Sequence, residues 1–294
     1  MKRFSLKLLK FTSFLVFLFL AKMILFTSCI IDVEDTKIYT DLENKTINND
    51  NWTLTFEDNF NSLDTKSWSI APNDVHVPWK KYMTDNPDCY EFKDGALHLK
   101  GFTNDDPNSA FITGGIWSKD KKTIDLGKIE IRAKINKVDG AWPAIWMISN
   151  DTKWPEGGEI DIIETVNHEN DVMHTVHTPY TLYKSDGTIS NHMRINVKDK
   201  SEYNIYGLII NQDELIFTIN GFVSFIYKRG FSEIDAQFPF GEGNNMFLIL
   251  SMQLDNMQMT GKPVNTSELP SIMSIDWVKF YKKNNNDLPD YQKK

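Results

Sequence analysis

Glu159-Ile160-Asp161-Ile162-Ile163-Glu164 begins as a strand and loses its alternation halfway. Successive side chains on a strand point to opposite faces, so Glu159 and Asp161 share one face and Ile160 and Ile162 the other. Strict alternation would then set Ile163 among the acids and send Glu164 into the apolar layer. A β-bulge at Ile162-Ile163 removes the conflict, because two consecutive residues then oppose one on the neighbouring strand. Both isoleucines stay with the core, and Glu164 returns to the face of Glu159 and Asp161. The stretch thus carries three carboxylates in a row on one side and apolar residues on the other. Like charges that close raise each other's pKa values, so the row costs stability and points to a chemical use.

Around this stretch the chain reads as strand after strand, with no long 3.6-residue periodicity. Ala96 to Lys100 alternates, and Gly127 to Ile135 alternates with Ile129, Ile131, Ala133 and Ile135 on one face. Leu215 to Ile219, Asn220-Gly221 and Phe222 to Tyr227 spell a hairpin with a type I′ turn. Met246 to Met252 and Ile275 to Tyr281 are further strands. One domain over residues 51–283, without internal repeats, is predicted as an all-β sandwich. A curved face of such a sandwich offers a groove. Carboxylates set there, with aromatic residues alongside, suit glycosidic bond cleavage, which needs two carboxyl groups flanking the scissile bond.

The chain has 294 residues and a net charge of −8. That balance argues against nucleic acid as a partner, because no basic run lies outside the N-terminus. Aromatic residues make up 13% of the chain, more than a core requires, and favour flat, partly apolar ligands such as sugars. Residues 1–28 read as a signal peptide: Lys2, Arg3, Lys7 and Lys10 precede an apolar run from Phe11 to Ala21. Lys22 interrupts that run, and a central lysine costs roughly 3 kcal/mol in a spanning helix. Phe26-Thr27-Ser28-Cys29 resembles a bacterial lipobox, with Phe26 in place of the usual leucine. Cys29 is the expected lipidation site, leaving Cys89 without a disulfide partner. Residues 29–50 read as an acidic flexible tether and 284–294 as a polar tail.

The motif Glu159-Ile160-Asp161-Ile162-Ile163-Glu164 resembles the bulged, laminarinase-like signature of glycoside hydrolase family 16. Leu126 to Lys134, Gly140-Ala141-Trp142-Pro143-Ala144-Ile145-Trp146-Met147, Thr175-Val176-His177-Thr178 and Ile275 to Tyr281 extend the resemblance over about residues 52–283. It implies a β-jelly roll of two curved antiparallel sheets with a concave substrate groove. It also implies a retaining endo-acting hydrolase, with Glu159 as nucleophile, Glu164 as general acid/base and Asp161 orienting the nucleophile. No catalytic cofactor is expected. Neither is an oligomer: the expected state is a monomer acting on a β-linked polysaccharide or O-glycan. A structural calcium ion on the convex face is implied at Asp276 and Gly95. A cation held by the carboxylate row itself is the competing reading of those acids.

Trp154 and Trp142 are expected to stack on sugar rings, with Trp117 as a further candidate, and Trp146 reads equally well as core. His177 and Gln253 are expected near the reaction centre. His174 and His177, three apart on a strand, fall on opposite faces, which argues against a two-histidine metal site. Val166 to Asn170, Thr175 to Tyr180 and Glu268-Leu269-Pro270 resemble lipoprotein relatives that cut β-1,4-galactosidic bonds in host O-glycans. An endo-β-1,3-glucanase is the alternative substrate reading, and a non-catalytic glycan-binding surface lipoprotein the alternative class. The protein is expected to be exported and lipid-anchored to a bacterial membrane.

Overall fold

The computed structural model describes residues 45–293 except 107–108, 186, 188, 231–234 and 285–289. The expected signal peptide, Cys29 and the first part of the tether lie outside the described residues. From the N-terminal side the strands are β1 (Lys45–Ile47), β2 (Trp52–Asp58), β3 (Ser69–Ile70), β4 (Tyr90–Lys93), β5 (Ala96–Thr103) and β6 (Phe111–Thr113). There follow β7 (Gly115–Trp117), β8 (Thr123–Ile124), β9 (Gly127–Ile135), β10 (Ala144–Ser149), β11 (Glu159–Glu164), β12 (Asp171–His177) and β13 (His192–Asn196). The last are β14 (Asn204–Ile210), β15 (Glu214–Ile219), β16 (Phe222–Lys228), β17 (Met246–Ser251), β18 (Ser271–Lys283) and β19 (Tyr291–Lys293). Among the described residues two α-helices, Pro179–Tyr183 and Met257–Thr260, are single turns or little more.

These strands form two antiparallel sheets. The larger runs β19-β1-β16-β15-β14-β9-β18-β5-β4, with β2 added to β18 and β6 to β5. The smaller runs β13-β12-β11-β10-β17-β7-β3, with β8 on β17. Alternation does the sorting. On β9, Ile129, Ile131, Ala133 and Ile135 enter the core between the sheets, where Ile145, Met147, Ile160, Leu208 and Leu250 meet them. Burying each large aliphatic side chain contributes about 1.5–3 kcal/mol. The hairpin of β15 and β16 turns at Asn220 (φ 52°) and Gly221 (φ 82°), the two left-handed residues that a type I′ turn needs.

Two differences from the sequence reading stand at the ends. The tether expected over 29–50 and the tail expected over 284–294 contain β1 and β19, which pair with each other, and β1 also pairs with β16. Ile47 is buried beside Trp52, Ile209 and Val223, and Tyr291 packs against the same group. One apolar anchor in each three-residue strand leaves no alternation to read.

The two outward faces differ. On the larger sheet, charges alternate with the core residues and are paired: Lys128–Glu130 (2.9 Å), Lys279–Glu57 (3.1 Å) and Arg132–Asp276. On the smaller sheet, Ala144, Trp146, Phe247 and Ile249 form an aromatic and apolar patch with Trp79, Trp117 and Ile148.

Candidate active site

Gly158 delivers the chain into β11. Its φ is +77°, and a Cβ there would lie 2.5 Å from the Phe240 ring, so only glycine lets the strand begin so close to the core. Against β10 the register is Ile148↔Glu159, Met147↔Ile160, Trp146↔Asp161, then Ile145↔Ile163 and Ala144↔Glu164. Ile162 is the extra residue. Against β12 it is Glu159↔His177, Asp161↔Thr175 and Glu164↔Met173, again with one residue more on β11. Ile160, Ile162 and Ile163 are all buried in the core. Glu159, Asp161 and Glu164 stand opposite Ile148, Trp146 and Ala144, the residues of β10 that face the aromatic patch.

A histidine holds the bulge from behind. His174 lies between the β12 partners of Asp161 and Glu164, points into the core against Phe217, and is fully buried. Its Nδ1 is 2.5 Å from the Ile162 carbonyl oxygen and its Nε2 2.9 Å from Ser224 Oγ. With Nδ1–H donating to the carbonyl, Nε2 accepts from the Ser224 hydroxyl. Burial pushes the His174 pKa down to about 4, which keeps the ring neutral in that arrangement. The spacing argument set His174 apart from His177 and stopped there; the bulge carbonyl as its partner was missed.

Two of the acids are nearly enclosed, Asp161 at 3% exposed and Glu164 at 7%, and Glu159 is half-buried. Trp142 Nε1 donates to Glu164 Oε1 at 2.8 Å, and the Thr175 side chain also hydrogen-bonds that carboxyl. Glu159 is hydrogen-bonded by the Trp154 and Asp161 side chains. His177 Nε2 lies 3.4 Å from Asp161 Oδ2, a buried oxygen with no hydrogen-bond partner among the described residues. Burial pushes all three carboxyl pKa values up, to about 8, and the charge of Asp161 pushes Glu159 and Glu164 the same way. His177 opposes the rise at both glutamates. Three such groups cannot ionise independently, so each proton lost makes the next harder to remove.

The aromatic candidates separate into different kinds. Trp154 is 51% exposed and is open to a ligand. Trp142, expected to stack on sugar, is half-buried and gives its indole N–H to Glu164, a bond at the ring edge that leaves the ring face open. Trp146 is buried, donates its N–H to Ser251 Oγ at 3.1 Å, and packs edge-on against Trp79 at 4.9 Å. Gln253 Nε2 donates to the same Ser251 oxygen at 3.0 Å, while Gln253 Oε1 is buried without a partner among the described residues. Trp117 is half-buried at the far side of the patch. Trp79 was missed, because a lone tryptophan in a loop carries no periodic signal.

The segment after Glu164 is fixed by another residue that the sequence did not mark. Lys200, 1% exposed, donates to Thr165 Oγ1, Val166 O and Asn167 O at 2.7–3.0 Å. Asn167 then accepts from the Gly140 N–H and donates to Thr260 O, both at 2.8 Å. His168 and Glu268, from two of the stretches that suggested O-glycan relatives, meet at 2.9 Å. Loops 138–142, 165–170 and 260–268 are therefore tied together beside Trp142 and Glu164.

Two metal readings meet the geometry differently. Glu159, Asp161 and His177 each offer one ligand atom, all within 4.8 Å of one another. Calcium takes six to eight oxygens, so this group is a poor calcium cage. Asp276 and Gly95, expected around a structural calcium ion, do not fit one. The Asp276 carboxylate is engaged by the Arg132 guanidinium, which also stacks on Tyr203 at 4.2 Å. A cation there would face a fixed positive charge. Gly95, at φ +73°, serves the tight turn between β4 and β5.

Comparison with known proteins follows the same lines. A family model described as an XgeA-like, catalytic GH16 domain matches residues 119–212, which include the carboxylate row. A keratan-sulfate endo-1,4-β-galactosidase of Sphingobacterium multivorum is 33% identical over 264 residues, covering 85% of this chain. The chain spans 60% of that relative's own length. The laminarinase catalytic domain of Thermotoga maritima MSB8 superposes with a TM-score of 0.69 at 26% identity, over 80% of this chain and all of that domain. A further structure comes from work on endo-acting O-glycanases that members of the human gut microbiota express to initiate mucin breakdown. It has a TM-score of 0.66 and 25% identity, over 78% of this chain and 98% of that one. The sandwich is thus a jelly roll, and the chain matches glycoside hydrolase family 16 in its laminarinase-like form.

Proposed function

We propose that the protein is a retaining, endo-acting β-glycoside hydrolase. The observation that carries this reading is the bulge that returns Glu164 to the face of Glu159 and Asp161. Glu159 is the nucleophile: it attacks the anomeric carbon as the glycosidic bond breaks. Glu164 protonates the leaving oxygen, then takes a proton from the water that releases the glycosyl-enzyme. These roles need one ionised and one protonated carboxyl at the same pH. Coupling within the row supplies that division, because the first carboxyl to ionise holds the protons on its neighbours. Hydrogen bonds and His177 favour ionisation at both glutamates, through Trp154 at Glu159 and through Trp142 and Thr175 at Glu164, so the family resemblance assigns which of the two is the nucleophile. With Glu159 ionised, its charge holds the proton on Glu164, and Asp161 keeps the proton of its bond to Glu159. Asp161 orients Glu159 through their shared hydrogen bond.

The substrate reading favours β-1,4-galactosidic bonds of host O-glycans of the mucin type. The 33% identical relative named for endo-1,4-β-galactosidase activity supports it, as do the joined His168 and Glu268 loops. The laminarinase likeness supports an endo-β-1,3-glucanase as the second reading. A panel of β-glycans assayed for new reducing ends tests both. Cleavage inside a poly-N-acetyllactosamine or mucin O-glycan chain is the expected result, with a β-configured first product by NMR. Cleavage of laminarin alone selects the second reading, an α-configured product overturns retention, and binding without cleavage leaves only a lectin-like role. Export and anchoring through Cys29 belong to the same proposal, supported by the lipobox-like sequence. Cys29→Ala is expected to shift the protein out of the membrane fraction.

A further inference from the structure

Lys80 and Lys119 both reach the ring of one tryptophan. The Lys80 ammonium is 4.9 Å from the Trp117 ring centroid and 5.1 Å from that of Trp79, and Lys119 is 5.5 Å from Trp117. Lys80 belongs to the turn Pro78–Lys80, and Lys119 follows β7 by two residues. Neither has a salt-bridge partner among the described residues. Their neighbours differ: Lys81 pairs with Asp255 at 3.4 Å, and Lys121 donates to the carbonyls of Thr65 and Trp68. Asp74 acts on Lys80 only from beyond salt-bridge distance, while burial and Lys119 both press Lys80 toward losing its proton. A chain with a net charge of −8 has many carboxylates to offer, yet holds two half-buried ammonium groups together without one.

The position of this pair is fixed by strand register. Asp161 lies opposite Trp146, Trp146 opposite Ile249, and Ile249 opposite Trp117, so all four fall on one line across the smaller sheet. Three strand spacings separate Asp161 from Trp117, about 14 Å. Trp79 bridges the interval, touching Trp146 at 4.9 Å and Trp117 at 6.3 Å. The aromatic patch is therefore continuous from the carboxylate row to the two lysines. With ammonium groups over Trp117, a neutral sugar gains little by stacking there, while an anionic group set between the lysines would satisfy both charges.

We propose that Lys80, Lys119, Trp79 and Trp117 form a subsite for an anionic substituent of the glycan, a sulfate ester or a carboxylate, about 14 Å along the groove from the carboxylate row. The subsite rests on the glycan-hydrolase reading of that row and adds to it a preference for acidic chains. A sulfate and a sialic or uronic carboxylate share the chemistry, and the test separates them.

The test compares two matched pairs of probes. One pair is a sulfated N-acetyllactosamine oligosaccharide and its desulfated form; the other is a sialylated oligosaccharide and its asialo form. Dissociation constants are measured by calorimetry at low and high salt for the unmodified protein, Lys80→Gln/Lys119→Gln and Lys80→Arg/Lys119→Arg. The unmodified protein is expected to bind the anionic member of at least one pair about tenfold more tightly, with the preference shrinking in salt. The glutamine variant is expected to lose the preference while keeping its affinity for the neutral member, and the arginine variant to keep the preference. No preference in either pair, or a preference that survives in the glutamine variant, overturns the subsite. If the glutamine variant fails to bind neutral probe, single Lys119→Gln is read in its place. Turnover of the neutral probes reports separately on the hydrolase reading, so either can fail alone.

Discussion

On the outer face of the larger sheet Lys128 meets Glu130, Lys279 meets Glu57 and Arg132 meets Asp276; on the groove face Glu159, Asp161 and Glu164 meet one another. Both faces are built from antiparallel strands over the same core. The first spreads opposite charges along alternate positions, where part-exposed pairs such as Lys279–Glu57 and Arg132–Asp276 contribute about 0–1 kcal/mol each and only Lys128 is buried against its partner. The second gathers like charges under cover, which no folding requirement explains. Stability is thus managed on one side of the sandwich and spent on the other, and substitutions should respond accordingly.

The largest expected effect comes from the two glutamates. Glu159→Ala should lower kcat/KM by about 10⁴-fold or more on every substrate, because no glycosyl-enzyme can form. Glu164→Ala should fall comparably on natural glycan. On an aryl glycoside with a good leaving group, however, azide should restore its turnover and yield a β-glycosyl azide. Equal loss in both variants, with no azide rescue, would break the assignment of roles.

Next in size is His174. Losing its bond to the Ile162 carbonyl should loosen the bulge and misplace Glu164. We expect His174→Leu to reduce kcat about 10–100-fold with little change in KM, since small misplacements of catalytic groups carry penalties of that order. His174→Asn, whose amide N–H can reach the same carbonyl, should recover much of the loss. A KM effect as large as the kcat effect, or no recovery with asparagine, would reduce His174 to a packing residue.

A smaller effect concerns stability and pH. The coupled row as a whole gives up its protons at higher pH when folded, toward about 8, than when unfolded, near pH 4. Between those values the unfolded chain binds fewer protons, so the row's contribution is full below about pH 4 and is lost as pH rises toward 8. Asp161→Asn should therefore raise Tm by about 2–5 °C at pH 8 and by less at pH 4. An equal gain at both values would show that the acids carry no such cost. Smallest of all, Asp276→Asn on the opposite face should lower Tm by less than about 3 °C and leave kcat/KM unchanged. Added calcium should not raise the Tm of the unmodified protein; a calcium-dependent rise lost in Asp276→Asn would overturn the ion-pair account.

The sequence disclosed what depends on neighbours along the chain. The broken alternation at Ile162-Ile163 was enough to locate the bulge, and regular alternation gave β9 residue for residue and the β15–β16 hairpin to within one residue at each outer end. Partnerships across the fold were hidden. Trp142 and Glu164 are 22 positions apart, and Arg132 and Asp276 are 144 apart. Nothing local shows that the Trp142 N–H reaches Glu164, or that the Asp276 carboxylate is paired with a guanidinium. Lys200 gave no sign either, because a lysine in the polar run Val197 to Glu202 looks solvated, and only tertiary structure surrounds its ammonium with three oxygens.

Strands β1 and β19 lie side by side with Lys45 directly across from Lys293. The two ends of the described fold therefore share one edge of the larger sheet, a few ångströms apart across a single strand pair. A short peptide could join them, and the chain could be opened instead at Asn220-Gly221, the tip of a hairpin on the same sheet. The circular permutant would cut no strand of the smaller sheet, although β17 would then precede β3 in the chain, so the groove would be indifferent to where the polypeptide starts.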